Sequence, residues 1–225
     1  MTSEDDQPGS APCFAHELEQ SADGSFHIVD PQQRADVMRW RKGERKRLLD
    51  QRLEGTAEHR RELAGRIAEN LEAEFGDVSG KTISFYWPLK GEPDLRPLMA
   101  HVIASGGACA LPVVVERNTP LHFHSWAPGE SLEKGFWNIP VPRDVHEVQP
   151  DIVLAPVVGF DAGCFRLGYG GGYFDRTLAS LTERPRVVGV GYAAARIETI
   201  YPLPHDIALD VVVTENGINR PAKSD

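Results

Sequence analysis

Apolar and polar positions follow two periods along the chain. A three-and-four repeat marks helices, and short apolar runs bounded by Gly, Pro, Asn or Asp mark strands. Arg34 to Leu53 reads as a first helix, and Ala57 to Phe75 as a second whose stripe is Leu63, Ile67 and Leu71. Thr82 to Trp87 reads as a strand closed by Pro88, and Leu95 to Ala104 as the helix that follows. Ala108 to Val115 is a second strand, and Leu121 to Trp126 alternates as though it hairpins against it. Ile152 to Val158 is a buried strand, Tyr173 to Leu181 a helix, and Val187 to Gly191 another buried strand. Ala193 to Ile200 is a short helix or turn, and Leu209 to Val213 the last strand. Strands alternating with helices predict one α/β domain of three layers, with a mostly parallel sheet and helices on both faces. The expected domain spans 34–217. An acidic, disordered extension over 1–33 precedes it and a polar tail over 218–225 follows.

Composition narrows the classes of function. The chain has 225 residues and a formal charge of −9, which gives nucleic-acid binding no overall electrostatic support. No apolar run approaches the ~20 residues that cross a bilayer. The start, Met1-Thr2-Ser3-Glu4-Asp5-Asp6, lacks an apolar signal core. Cys13, Cys109 and Cys164 have no metal spacing and leave one thiol over in any pairing, so a reducing cytoplasm is expected.

The stretch Arg166-Leu167-Gly168-Tyr169-Gly170-Gly171-Gly172-Tyr173-Phe174-Asp175 changes the picture most. It lies between a buried strand and a helix. Strand, glycine loop and helix start together make an anion site from backbone N–H groups and the positive end of the helix dipole. No Lys follows as in a P-loop, and Tyr173 stands where a dinucleotide fingerprint has Gly. A plain flexible turn is the competing reading. Arg166 can fork onto phosphate, and Asp175 can hold a divalent cation. In the first helix, Lys42 and Lys46 are one turn apart and can clamp a polyphosphate; a solvated helix face explains them equally well. Trp87 and Glu92 stand at the carboxyl end of the first strand, where open parallel sheets bind ligands. Trp87 offers a flat face to a heteroaromatic ring and Glu92 offers acceptors, although a core Trp and a surface Glu read as well. His122 and His124 share a strand face without a third metal ligand nearby. Gly135-Phe136-Trp137-Asn138-Ile139-Pro140-Val141-Pro142 reads as a rigid loop, a candidate pocket wall.

With these pieces in order, residues 38 to 217 resemble the 5-formyltetrahydrofolate cyclo-ligase (5,10-methenyltetrahydrofolate synthetase) family. The motif from Arg166 to Arg176 carries most of the resemblance. Lys42 to Arg52, Gly91-Glu92, Trp137-Asn138-Ile139-Pro140 and His205-Asp206 fall in the family's order. The resemblance implies a Rossmann-like fold and ATP-dependent, Mg²⁺-dependent closure of 5-formyltetrahydrofolate to the methenyl compound, with no nucleic-acid or membrane partner and a monomeric state. It implies Lys42, Arg166 and Tyr173 as catalytic residues. ATP would be held by Lys42, Lys46, Arg166, Leu167, Gly168, Gly170, Gly171, Gly172, Tyr173 and Phe174. Trp87, Glu92 and Tyr169 would contact the folate, and Asp175 and Asp206 the magnesium.

The chain departs from the family pattern in places. Phe174 stands where Tyr is usual, Lys46 where Arg is frequent, and Gly163 sits one residue early. The acidic leader has no counterpart. Two other classes compete: a binding or regulatory relative without turnover, and a sugar-phosphate or CoA-handling enzyme on the same layers. Intact Lys42, Arg166, Asp175 and Asp206 argue against the first, and the second requires a catalytic carboxylate acting without ATP.

Overall fold

A computed structural model describes residues 31–221 and two short strands, β1 (Glu19–Gln20) and β2 (Phe26–His27), which pair antiparallel. The rest of the expected acidic extension lies outside the described residues. Helices α1 (Pro31–Glu54) and α2 (Ala57–Phe75) follow one another across the short Gly55-Thr56 link. The first begins with Pro31, ahead of the expected Arg34; the fixed φ of proline suits a first helical position. The Thr56 hydroxyl accepts the His59 amide at 3.1 Å and caps α2.

Seven strands form the central sheet. In chain order these are β3 (Thr82–Ser84), β4 (Ala108–Val113), β5 (His122–Ser125), β8 (Ile152–Pro156), β11 (Arg186–Val190), β12 (Val211–Thr214) and β13 (Gly217–Asn219). Their spatial order is β13-β12-β11-β8-β3-β4-β5, while β6 (Leu132–Lys134) and β7 (Pro140–Pro142) pair antiparallel outside this sheet. The five inner strands are parallel, and each edge strand runs antiparallel to its neighbour. The hairpin expected from Leu121 to Trp126 is the β4–β5 pair. β13 sits where a polar tail was expected: Ile218 opposes Val213 and extends the sheet. β3 stops at Ser84 rather than Trp87, because only Ile83 and Ser84 pair with β8 before the chain turns away.

Period-two burial explains the layers. Along β8, Ile152 and Leu154 enter one core with α2 (Ile67, Leu71) and α3 (Arg96–Ala104; Leu98, Met99). Val153 and Ala155 enter the opposite core with Leu178 of α4 (Tyr173–Ser180). Both faces are covered, so the inner strands read as unbroken apolar runs. A smaller cluster joins Leu48 of α1 to Val158, Phe165, Leu167 and Ile200.

The chain leaves β3 toward α3 on one face and leaves β8 toward α4 on the other, although β3 and β8 are neighbours. Their carboxyl ends therefore diverge and leave a crevice, the topological switch point where open α/β sheets hold ligands.

Candidate functional site

Each wall of the crevice comes from one of these strands. After β8 the chain makes a small hairpin, β9 (Gly159–Phe160) against β10 (Arg166–Leu167), and the glycine loop follows. Gly170 has φ 96° and Gly172 φ 64°, a left-handed geometry that strains other residues. Gly172 caps α4 with no side-chain hydrogen bond, so the first-turn donors remain open. Gly168 is required for a different reason: a Cβ there would lie 2.5 Å from Arg166 Nη1.

Arg166, Arg176, Arg45 and Arg52 lie in or contact this loop, and Arg41 holds the neighbouring 200–206 turn. Arg166 is buried, donates to Asp175 at 2.7 Å, and lies 4.9 Å from the centre of the Phe174 ring. Its Nε is buried without a partner. Arg176 donates to the Gly171 carbonyl and stacks 5.0 Å from the Tyr173 ring centre. Arg45 of α1 donates from Nε to the Gly168 carbonyl at 2.7 Å and lies beside Gly170. Burial, then the nearby Arg41, lower the Arg45 pKa to about 10, against an opposing pull from Asp206. Arg41 is itself buried and forks onto both oxygens of Asp206, at 2.5 and 3.2 Å.

The α1 cations in hydrogen-bond contact with the loop are Arg45 and Arg52. Arg41, Arg45 and Arg52 lie on the inward face of α1, while Lys42 and Lys46 occupy exposed positions one step around the helix. Residues one apart differ by about 100° on a helix, so both i,i+4 pairs cannot face the same wall.

The two carboxylates expected at magnesium both have protein partners. Asp175 is half-buried; it pairs with Arg166, and its second oxygen accepts the Ile207 amide at 3.4 Å. Asp206 is more fully engaged, holding Arg41 and the Leu203 amide at 2.5 Å. Its chemistry is that of a clamp between α1 and the 200–206 turn. Among the described residues, no three His, Cys, Asp or Glu side chains converge as a metal cluster. Magnesium needs few protein ligands when phosphate and water supply the rest, and Asp175, the more open and less tightly held of the two, fits that need better. His122 is instead paired with Glu147 at 2.8 Å.

The opposite wall is the Trp87–Glu92 loop after β3. Glu92 is only 7% exposed; one oxygen accepts the Leu89 amide at 2.8 Å and the other has no partner. Burial raises its pKa, opposed by that amide, by Tyr169 and by Arg52. Tyr169 bridges the two walls. Its hydroxyl reaches the Leu89 carbonyl at 3.5 Å and receives Arg52 at 3.4 Å, while Lys90 lies over its ring. Trp87 is less free than expected, because Trp126 meets its edge and Arg96 covers its face at 5.0 Å. Trp137 is the more exposed of the aromatics at the site, ahead of Tyr169. It is 56% exposed, has φ 53°, and meets Tyr173 edge-on at 5.6 Å. The sequence marked its loop as a candidate wall without tying it to Tyr173.

A glycine loop at the switch point of a doubly covered parallel sheet, facing the buried carboxylate of Glu92, defines an α/β protein with its candidate ligand crevice between the two. The 5-formyltetrahydrofolate cyclo-ligase family description matches residues 37–215, and the chain belongs to that family. Its relatives include the 5-formyltetrahydrofolate cyclo-ligase of Mycolicibacterium smegmatis, 31% identical over 61% of this chain and 75% of the relative. That of Escherichia coli is 29% identical over 72% of this chain and 93% of the relative. Among solved structures, the 5,10-methenyltetrahydrofolate synthetase of Aquifex aeolicus superposes with a TM-score of 0.70 at 32% identity, covering 82% of this chain and 94% of that one.

Proposed function

We propose that the protein closes 5-formyltetrahydrofolate to 5,10-methenyltetrahydrofolate, with ATP consumed to ADP and phosphate. The observation that carries this reading is Tyr169, which ties the anion loop to the Glu92 wall and so sets a phosphate donor against a folate acceptor.

The chemistry asks little covalent work of the protein. The formyl oxygen attacks the terminal phosphorus of ATP, and the bond to the ADP oxygen breaks. N10 then attacks the activated formyl carbon, the bond from that carbon to the phosphorylated oxygen breaks, and the N10 proton leaves with the departing phosphate as the ring closes. Catalysis of this kind is alignment and charge neutralisation. Loop amides from Gly168 to Gly172 and the first turn of α4 orient the phosphates. Arg45 and Arg166 neutralise them, with Tyr173 at the loop's outer side. Lys42 and Lys46, on the exposed flank of α1, are the outer cations of the same site. Asp175 would hold magnesium, which when bound supplies charge to the transferring phosphoryl group. The unpaired oxygen of Glu92 is an acceptor waiting for a ring N–H of the folate, with Trp137 as a second wall. The free, buried Cys109 and Cys164 support action in the reducing cytoplasm.

The test is direct. Purified protein is mixed with 5-formyltetrahydrofolate, ATP and Mg²⁺, and the ultraviolet absorbance of the methenyl product is followed. An ATP-dependent rise supports the proposal, and its absence removes it.

A further inference from the structure

A cavity of about 290 Å³ opens between the end of α1, the first half of α2 and the chain after β11 and β12. Arg52, Arg60, Arg66 and His59 line it. The carboxylate in the wall is Glu215, which already accepts the Ala193 amide at 2.9 Å. His59 lies 3.8 Å from Glu62 outside the cavity. Three guanidinium groups are therefore gathered in a protein whose formal charge is −9. Such a concentration of one sign in a concave place draws the opposite charge. Leu48, Leu63, Ala194 and Ala195 supply apolar wall between the cations. A bare inorganic anion leaves that surface unused, whereas an organic acid covers it.

The cavity also touches the Glu92 loop. The Tyr192 hydroxyl, from its wall, donates to the Gly91 carbonyl at 3.0 Å. The Arg60 side chain rests against Gly91, where a Cβ would meet Nε at 3.3 Å. Arg52 is shared: it lines the cavity, donates to the Val157 carbonyl at 2.6 Å, and reaches Tyr169.

We propose that this cavity is a binding site for a small organic carboxylate, glutamate-like in size, with Arg60 and Arg66 as its recognition residues. Guanidinium forks match carboxylates in geometry as well as charge. Such a group has two sources: the acidic end of the folate substrate reaching past Gly91, or a separate dicarboxylate. The first source rests on the function proposed above, while the site itself does not.

The experiment uses the full chain and Arg66→Glu, a change at an exposed position whose fold is checked by its melting temperature. Glutarate is titrated into both proteins by NMR. Separately, KM is measured for 5-formyltetrahydrofolate and for its analogue lacking the glutamate. If the substrate's own end is bound, Arg66→Glu raises KM for the full substrate by about tenfold, with kcat and the analogue's KM unchanged. If the carboxylate is separate, glutarate binds wild type and is lost in Arg66→Glu, while both KM values stay put. No glutarate binding together with an unchanged KM ratio overturns the proposal. Should wild type fail to cyclise folate at all, the proposed function falls and glutarate binding alone decides the cavity.

Discussion

Arg45→Ala separates the cations that touch the loop from those beside it. Arg45 donates to the Gly168 carbonyl at 2.7 Å and lies against Gly170, so its remaining N–H groups border the anion cradle. Losing one charge-assisted contact to a phosphate costs about 2–3 kcal/mol. At 1.4 kcal/mol per tenfold, that is about a 30- to 140-fold fall in kcat/KM for ATP. Stability should change less, by about 1 kcal/mol, because burial and Arg41 already oppose the charge and hold its pKa at about 10. The methenyl absorbance assay at varied ATP and saturating folate reads the first number, and urea unfolding reads the second. Lys42→Ala and Lys46→Ala serve as comparisons and should change ATP use by only about twofold, as expected for exposed charges. Near-normal ATP use in Arg45→Ala, with a hundredfold loss in Lys42→Ala, would refute the placement of the cations.

Three further outcomes follow from the geometry. Gly168→Ala should cost about 1–3 kcal/mol of stability and most of the activity, since the new methyl displaces an Arg166 pinned by Asp175; unchanged turnover would mean the loop yields there. Asp206→Asn should lower stability by about 3–5 kcal/mol while the magnesium dependence of residual activity stays the same, whereas Asp175→Asn should weaken magnesium dependence; the reverse pattern would restore Asp206 as a metal ligand. Burial raises Glu92 above its ordinary value of 4.5, so the folded state holds more protons there than the unfolded one. Stability then falls as pH climbs from 4.5 to the raised value and levels off above it. Melting curves of Glu92→Gln should lack that fall, and parallel curves for the two proteins would contradict it.

Much of this architecture was legible in residue order because the inner strands carry apolar residues on both faces and α2 has a clean stripe. The glycine loop was legible for a related reason: four glycines beside a buried run have few other uses. The orientation of α1 was not. Its buried positions are Gln33, Val37, Arg41, Leu48 and Arg52, mostly polar, so no apolar stripe marks the inward face. The i,i+4 rule then fits Arg41 and Arg45 as well as Lys42 and Lys46, and only the partners decide. Those partners are backbone carbonyls over a hundred residues away, which no local pattern encodes. β13 was hidden likewise, because an edge strand facing water keeps a polar sequence.

The polar attachment of α1 has a consequence for how the molecule comes apart. Arg41, Arg45 and Arg52 fasten the helix to the carbonyls of Ile200, Tyr201, Gly168 and Val157. Guanidinium denaturant carries the same chemical group and competes for those oxygens, whereas urea at matched strength does not mimic its charge. Early amide exchange in the first helix, ahead of the sheet, is the behaviour this fastening imposes, with the helix detaching as its own subglobal unit.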